Sequence, residues 1–145
     1  DKREIDVSDL LKMFWECHDP TQKNRQGNDM GTQYRSAIYY KNENNIKTIL
    51  ASKEQYQTEL SKKNLGLIET EIKMIDSYFY AEQYHQQYLA SAGSRQYCSA
   101  SPTKVKLGVF TGSNYKLEDH IWENFNWEVD KCVLRSDNNP IKNNI

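Results

Sequence analysis

The chain has 145 residues, and its 19 lysines and arginines nearly balance its 20 aspartates and glutamates, for a formal net charge of −1 at pH 7. The length allows one domain with a core, and the balanced charge gives no indication of a nucleic-acid partner. No apolar run approaches the roughly 20 residues that a membrane span requires, and an aromatic content of 12% argues against full disorder.

An amphipathic helix is predicted near the start of the chain, over residues 7–17. Ser8 is its predicted N-cap, and Asp19-Pro20 ends it because the residue before a proline avoids helical backbone angles. The predicted buried stripe consists of Leu10, Met13, Phe14 and Cys17. A long polar loop follows over residues 20–31, and long loops often carry function.

A strand is predicted over residues 32–40, where alternation would place Tyr34 and Ser36 on one face and Arg35 on the other. We therefore expect Arg35 to form an ion pair rather than to contact a ligand bound beside Tyr34. Residues 45–63 are predicted to form a surface helix. Its predicted buried side consists of Ile46, Ile49, Leu50, Tyr56 and Leu60.

The second half of the chain begins with a predicted half-buried strand over residues 67–75, where apolar and charged residues alternate. Residues 77–91 are predicted to be helical, with Tyr80, Tyr84 and Tyr88 in one packing stripe. Beyond Gly93 the sequence is small, polar and basic, like a tail that wraps a surface. A short helix over residues 117–129, with Ile121, Trp122 and Phe125 as anchors, and a strand over residues 131–135 complete the prediction.

The element order helix, strand, helix, strand, helix predicts an α+β fold with helices on one face of a sheet. Two strands alone make a poor sheet. We therefore expect further strands upstream, or a chain that is only marginally stable by itself.

The cysteines are few and unevenly spaced: Cys17, Cys98 and Cys132. This pattern is not typical of a disulfide framework, a zinc ribbon or a thioredoxin motif, and it predicts a reduced, cytoplasmic setting. The three histidines are far apart and lack ligand spacing, so no metal site is predicted.

Three segments carry a resemblance to a known family: "FWECHDPTQKNRQGNDMGTQYRSAIYY", "IDSYFYAEQYHQQYL" and "QYCSASP". Together they resemble the A-type peptide methionine sulfoxide reductases, which read F-W-x-x-H-D-P-T-Q, then R-Q-G-x-D-x-G-T-Q-Y-R-S-x-I, then A-E-x-Y-H-Q-Q-Y-L. The resemblance covers residue 5 to about residue 98.

The resemblance implies a ferredoxin-like two-layer sandwich with a mixed sheet. It implies an oxidoreductase of protein repair under oxidative stress, which reduces the S epimer of methionine sulfoxide, free or in proteins. A thiolate attacks the sulfoxide sulfur, a sulfenic acid forms, and a second cysteine condenses with it. Thioredoxin or dithiothreitol is the reductant, and no cofactor is expected. We expect a monomer with no nucleic-acid or membrane partner, in the cytoplasm, with a mitochondrial form left open.

The sequence departs from the family in one respect. In the family, the attacking cysteine lies in a G-C-F-W-G string, and a glutamate that serves the sulfoxide oxygen lies in a G-H-x-E string. Neither string occurs here. We expect residues 1–92 to be the C-terminal portion of the reductase domain, incomplete at its N-terminus. Residues 93–145 would be a tail with the recycling cysteine and a short helix. The alternatives are a non-catalytic fragment that binds partner proteins and a module that binds sulfoxides.

Several residue roles follow from the resemblance. Tyr34 matches the tyrosine that hydrogen-bonds the sulfoxide oxygen, with a packing aromatic as the alternative. Asp29 would position the substrate or cap its own turn. His85 would lie near the pocket or be a structural group.

The remaining roles are assigned to the three cysteines and to residues at the end of the helix predicted over residues 7–17. Cys98 is the recycling candidate and Cys132 a possible second one, whereas Cys17 is expected to be an inert core thiol. Glu16 and His18-Asp19 are interpreted as fold residues, the first as a partly buried carboxylate and the others as a turn that holds the polar loop.

Overall fold

A computed structural model describes residues 1–88 and 99–124 of the chain. The helices are α1 (Val7–Glu16), α2 (Ile46–Lys62) and α3 (Asp119–Asn124). The strands are β1 (Arg25–Gln26), β2 (Asp29–Met30), β3 (Ala37–Tyr40) and β4 (Glu71–Met74). Short 3-10 turns lie at Thr32–Tyr34 and Glu43–Asn45. The predicted α+β class is confirmed.

Two small sheets organise the described residues. Strands β3 and β4 pair in parallel, with Ala37 opposite Glu71 and Tyr40 opposite Met74. Parallel neighbours need a crossover connection, and α2 supplies it. Strands β1 and β2 form an antiparallel hairpin closed by a two-residue turn, in which Gly27 takes a φ of +55°, a left-handed conformation that glycine adopts without strain.

The N-cap of helix α1 is Asp6 rather than the predicted Ser8. Asp6 accepts a hydrogen bond from the Ser8 N–H at 2.9 Å, and Asp9 accepts one from the Asp6 N–H at 2.8 Å, which completes a capping box. Ser8 therefore lies inside the first turn, where it is fully buried.

The buried side of α1 also differs from the predicted stripe. Leu10 is 54% exposed, whereas Leu11 and Trp15 are in the core together with several polar side chains of the helix. Apolar spacing misidentified this face because polar residues that bind backbone groups can be buried as well, and periodicity counts only the apolar ones.

Residues 99–117, here called the C-terminal arm, cover that polar side of α1. The Leu107 N–H donates to Glu16 Oε1 at 2.8 Å, and the Asn114 N–H donates to Ser8 Oγ at 2.9 Å. The Lys116 N–H donates to Asp9 Oδ2 at 3.1 Å. The arm thus does more than wrap the surface, because its Val105, Leu107 and Phe110 side chains belong to the core.

The core lies between α1, α2, the start of β4 and the arm. Its buried apolar members are Leu11, Trp15, Ile49, Tyr56, Leu60, Ile68, Val105, Leu107 and Phe110. Trp15 and Tyr56 are fully buried with both polar tips satisfied, since Trp15 Nε1 donates to Ser52 Oγ at 2.9 Å and the Tyr56 hydroxyl contacts Val105 O at 3.2 Å. On α2, Leu50 is 49% exposed rather than buried as predicted.

Two predicted elements of the second half are shorter or absent. The strand predicted over residues 67–75 is limited to Glu71–Met74. No helix forms over residues 77–87, and Tyr80 and Tyr84 are 85% and 69% exposed, so the packing stripe was wrong for these residues. Four-residue spacing stabilises a helix only where a neighbouring surface buries the stripe, and in residues 1–88 and 99–124 both rings remain more than two-thirds exposed.

The helix predicted over residues 117–129 is present as Asp119–Asn124. Trp122 is buried as expected, whereas Ile121 is 41% exposed. Phe125, the predicted strand at 131–135, Cys98 and Cys132 lie outside the described residues.

Candidate functional site

The segment that carries the family resemblance forms most of a pocket of about 270 Å³. The pocket lies where the end of α1, strand β1, the 3-10 turn at Thr32–Tyr34 and the start of β3 meet the arm. We call it the motif pocket. Its lining consists of Phe14, Cys17, His18, Arg25, Gln26, Tyr34, Arg35, Ser36, Ala37 and Ala100.

Tyr34 lies in this lining, and it belongs to the 3-10 turn rather than to the strand predicted for residues 32–40. The Tyr34 N–H donates to Gly31 O at 3.1 Å and the Arg35 N–H to Thr32 O at 3.2 Å, which closes the turn. Strand geometry begins only at Ala37, so alternation does not govern Tyr34 and Arg35. The Tyr34 side chain is 42% exposed at the pocket.

Arg35 forms the expected ion pair, with Nε 2.7 Å from Glu71 Oε2, and also lines the motif pocket. Its other nitrogens donate to Thr32 O at 2.8 Å and to the Tyr39 hydroxyl at 2.7 Å. The hydrogen bond from Arg35 holds the pKa of the Glu71 carboxyl below its usual range. The guanidinium therefore joins the 3-10 turn to both strands of the parallel sheet.

His18 is buried at the floor of the pocket and takes part in a chain of side-chain hydrogen bonds. Nδ1 lies 2.7 Å from Phe14 O, so Nδ1 carries the proton and Nε2 accepts from Ser36 Oγ at 2.8 Å. Ser36 Oγ in turn lies 2.8 Å from Thr70 Oγ1. Burial lowers the pKa of His18, which keeps the imidazole neutral at pH 7.

The fold role expected for Glu16, His18 and Asp19 is consistent with these contacts. Glu16 is 2% exposed and holds the arm, and Asp19 Oδ1 accepts from the Thr21 N–H at 2.9 Å in a local turn. The contact of His18 with Ser36 and Thr70 was missed, because hydroxyls that meet across a parallel sheet leave no periodic signal in the sequence.

Cys17 is half-buried in the pocket wall rather than within the core cluster. Its Sγ donates to Phe14 O at 3.4 Å, and burial raises the pKa of the thiol. A thiol held in its protonated form is a weak nucleophile.

Asp29 and His85 are the other two residues predicted to bind the substrate. Asp29 is half-buried in β2 with its backbone opposite Gln26, and His85 is exposed in a turn with its ring 4.3 Å from that of Tyr84. Neither is among the residues that line the pocket in the described part of the chain.

Ser99, the first residue of the arm, contacts the β1–β2 hairpin. Gln26 Nε2 donates to Ser99 Oγ at 3.2 Å, and Gly27 packs so closely on Ser99 O that a Cβ at position 27 would collide with it. Ser99 directly follows the recycling candidate Cys98, and this contact joins the arm to the β1–β2 hairpin.

Within residues 1–88 and 99–124, no group of three or more histidine, cysteine or carboxylate side chains is arranged to hold a metal ion. None of the helices in these two segments is long and apolar enough to cross a bilayer.

Comparisons with known proteins give one consistent result. A protein-family model described as peptide methionine sulfoxide reductase matches residues 1–116. Peptide methionine sulfoxide reductase MsrA of Azotobacter vinelandii is 50% identical over 107 residues, which are 74% of this chain and 49% of that protein. The mitochondrial peptide methionine sulfoxide reductase of Mus musculus is 52% identical over 101 residues, which are 70% of this chain and 43% of that protein.

Solved structures agree with these sequence matches. Mxr1 from Saccharomyces cerevisiae in reduced form is similar with a TM-score of 0.61 and 33% identity, covering 70% of this chain and 55% of that one. Methionine sulfoxide reductase A of Corynebacterium diphtheriae is similar with a TM-score of 0.52 and 40% identity, covering 61% and 46%. The chain spans about half the length of the curated relatives that it matches.

Proposed function

The chain belongs to the peptide methionine sulfoxide reductase family, and from this membership we propose that it is part of a peptide-methionine (S)-S-oxide reductase. The observation that carries the proposal is the family match over residues 1–116. The substrates are free methionine S-sulfoxide and the same group in oxidised proteins, so the activity is one of protein repair.

The proposed reaction uses cysteine chemistry. A thiolate from a segment outside this sequence attacks the sulfoxide sulfur, because the G-C-F-W-G string that would supply it does not occur here. The sulfur–oxygen bond breaks, the oxygen is transferred with a proton to the cysteine, and a sulfenic acid and a methionine thioether result. The Cys98 thiol then condenses with the sulfenic acid, releasing water and forming a disulfide that the dithiol of thioredoxin reduces.

Tyr34 donates a hydrogen bond to the sulfoxide oxygen in this proposal. Its location in the lining of the motif pocket supports the role, because a donor aimed at developing negative charge in a sheltered site lowers the barrier. In this proposal Asp29 helps to position the substrate and to order the pocket, and His85 contacts the substrate in the complete protein. Cys132 is a second candidate for recycling.

The fold of the complete domain is proposed to be a ferredoxin-like two-layer sandwich. The parallel β3–α2–β4 unit supports this proposal, since such a unit is a component of that architecture. Residues 1–92 would be the C-terminal portion of the domain and residues 93–145 the tail. We propose that the protein acts as a cytoplasmic monomer without a cofactor.

The test uses the full-length protein that contains this sequence. We expect it to reduce the S epimer of a methionine sulfoxide substrate with thioredoxin or dithiothreitol, and to leave the R epimer unchanged. Cys98→Ser is expected to retain the first turnover and to lose thioredoxin-dependent turnover. A full-length protein that reduces neither epimer would refute the proposed function, and an unchanged thioredoxin-dependent rate in Cys98→Ser would refute the role of Cys98.

A second candidate is a non-catalytic module of the same fold that binds thioredoxin or oxidised proteins. The observation that favours it is that the chain spans about half the length of its relatives and contains no G-C-F-W-G string. We expect the 145-residue chain alone to show no sulfoxide reduction with dithiothreitol above a heat-inactivated control. Turnover by the isolated chain would instead assign the attack to Cys17 or Cys98.

A further inference from the structure

We propose that Arg35 is a positioning residue for Tyr34, which fixes the 3-10 turn that presents the Tyr34 side chain to the motif pocket. This inference rests on the proposed function, since it concerns the group that would donate to the sulfoxide oxygen. The juxtaposition that carries it is the bonding of a single guanidinium to the turn and to both strands of the parallel sheet.

The first part of the argument is the attachment of the turn. Thr32 O, the carbonyl that opens the 3-10 turn, accepts from the Arg35 N–H at 3.2 Å and from Arg35 Nη1 at 2.8 Å. A turn of three residues has few internal hydrogen bonds, so one added bond to its opening carbonyl strongly restricts its position. Gln33 and Tyr34 are the two residues between these bonded groups, and Tyr34 directly precedes Arg35.

The second part is the attachment of the guanidinium to the sheet. Arg35 Nε lies 2.7 Å from Glu71 Oε2 on β4, and Nη2 lies 2.7 Å from the Tyr39 hydroxyl on β3. Tyr39 also contacts Glu71, with its hydroxyl 3.5 Å from Oε1. Since β3 and β4 are paired over four residues, this cluster is a rigid reference for the turn.

The chemistry of the side chain explains why arginine is suited to this position. The planar guanidinium directs separate N–H donors to three acceptors at once, namely the Glu71 carboxylate, Thr32 O and the Tyr39 hydroxyl. A lysine ammonium on a flexible stem can reach one or two of them in any one conformation. Arg35→Lys therefore keeps the positive charge near the pocket and removes the three-point attachment.

Arg35 also lines the motif pocket, so the alternative to positioning is a direct contact between its guanidinium and the substrate. The observed contacts favour positioning, because Nε, Nη1 and Nη2 each already have an acceptor on the protein. The Glu71 carboxylate also compensates the charge, which reduces the attraction of the guanidinium for an anionic ligand.

The experiment is a double-mutant cycle between Arg35→Lys and Tyr34→Phe in the full-length protein, read by the single-turnover rate of sulfenic acid formation. We expect Arg35→Lys alone to lower this rate about tenfold with the substrate affinity unchanged. In the Tyr34→Phe background the same substitution should change the rate less than about twofold, because the group that it positions is already absent. Glu71→Gln, which weakens the sheet anchor, should give a smaller loss with the same dependence on Tyr34.

The control is Arg3→Lys, the same chemical change at an exposed pair in which Arg3 contacts Asp1, and it should have no effect on the rate. A rate loss of equal size in both backgrounds, or no loss in either, would overturn the inference.

Amide hydrogen exchange separates this inference from the proposed function. The Tyr34 and Arg35 amides close the turn, and they should exchange faster in Arg35→Lys whether or not the protein reduces sulfoxides. Unchanged exchange would overturn the inference by itself. Faster exchange in a protein that fails to reduce either epimer would refute the proposed function while the positioning of the turn stands.

Discussion

At the scale of single residues, the motif pocket combines a phenol, a neutral imidazole and a protonated thiol within one small volume. Tyr34 is partly exposed, so its hydroxyl can be removed without leaving a buried cavity. His18, in contrast, is 8% exposed and hydrogen-bonded at both ring nitrogens. The first residue is therefore expected to matter for chemistry and the second for stability.

Tyr34→Phe in the full-length protein is expected to lower the single-turnover rate of sulfenic acid formation by about tenfold or more, because a donor to the developing charge is lost. The free energy of unfolding should change by less than about 0.5 kcal/mol, as is usual for partly exposed sites. If the rate stays the same while the melting temperature falls, Tyr34 is a packing residue and its assigned role is wrong.

The neutral His18 predicts a pH dependence of stability with a definite sign. Burial lowers the pKa of His18 in the folded protein below its ordinary value of 6.5, so the unfolded chain binds the proton first as the pH falls. This group therefore destabilises the folded state as the pH falls from about 6.5 toward the folded pKa, by at most about 1.4 kcal/mol per pH unit.

Urea unfolding of the full-length protein at several pH values between about 5 and 7.5 tests this dependence. His18→Gln should flatten the loss of stability at low pH, and His120→Gln, at an exposed position, should leave it as in the wild type. Equal pH profiles for the wild type and His18→Gln would contradict the prediction.

At the scale of elements, α1 is held to the C-terminal arm by polar side chains that lie in the core. Glu16 Oε1 accepts from Lys12 Nζ at 2.6 Å and from the Leu107 N–H at 2.8 Å. The Glu16 and Lys12 side chains are 2% and 10% exposed, so their charges depend on each other for compensation.

Glu16→Gln is expected to destabilise the fold by about 3 kcal/mol, because it leaves the Lys12 ammonium buried without its counter-charge. Glu59→Gln is the matched control, since Glu59 pairs with Lys62 at 2.7 Å but the Lys62 side chain is 62% exposed. That substitution should cost less than about 1 kcal/mol. Urea unfolding of the full-length protein measures both losses of stability. Equal losses for the two variants would contradict the prediction that burial of the pair on α1 raises the cost.

At the scale of the whole molecule, the chain combines a well-packed core with a large aromatic surface. Tyr78, Phe79, Tyr80 and Tyr84 are all more than two-thirds exposed, and large exposed apolar patches mark surfaces that associate. A sheet of two strands also leaves edges that can pair with another chain.

The isolated 145-residue chain is therefore expected to self-associate at micromolar concentrations and to lack a sharp thermal transition as a monomer. Light scattering and calorimetry measure both properties. Tyr78→Ser combined with Phe79→Ser should reduce the association, whereas Tyr39→Phe, on the sheet face, should not. A monomer that unfolds in one cooperative transition would contradict this expectation.

Local patterns in the sequence were enough to predict the bounds of α1 and α2 to within a residue, because capping residues and breakers mark helix ends in the sequence. They also located strands around β3 and β4, although each predicted strand starts four or five residues too early, and the parallel pairing was not predicted. The motif strings around Tyr34 were enough to indicate the family, since they bring residues of one pocket close together in the chain. The ion pair of Arg35 was likewise expected, although its partner Glu71 was not.

Only the tertiary structure decided which side of α1 is buried, and how Tyr34 is presented. Ser8, Asp9 and Glu16 are in the interior because backbone N–H groups about a hundred residues away satisfy them, as with Leu107 and Asn114. The 3-10 turn at Thr32–Tyr34 replaces a strand because Gly31 and Arg35 close it, and its anchor lies on β4. The tyrosines at 80 and 84 have helical spacing, but their side chains are largely exposed in the described part of the chain. Burial depends on what lies opposite in space, and a single sequence records only what lies next along the chain.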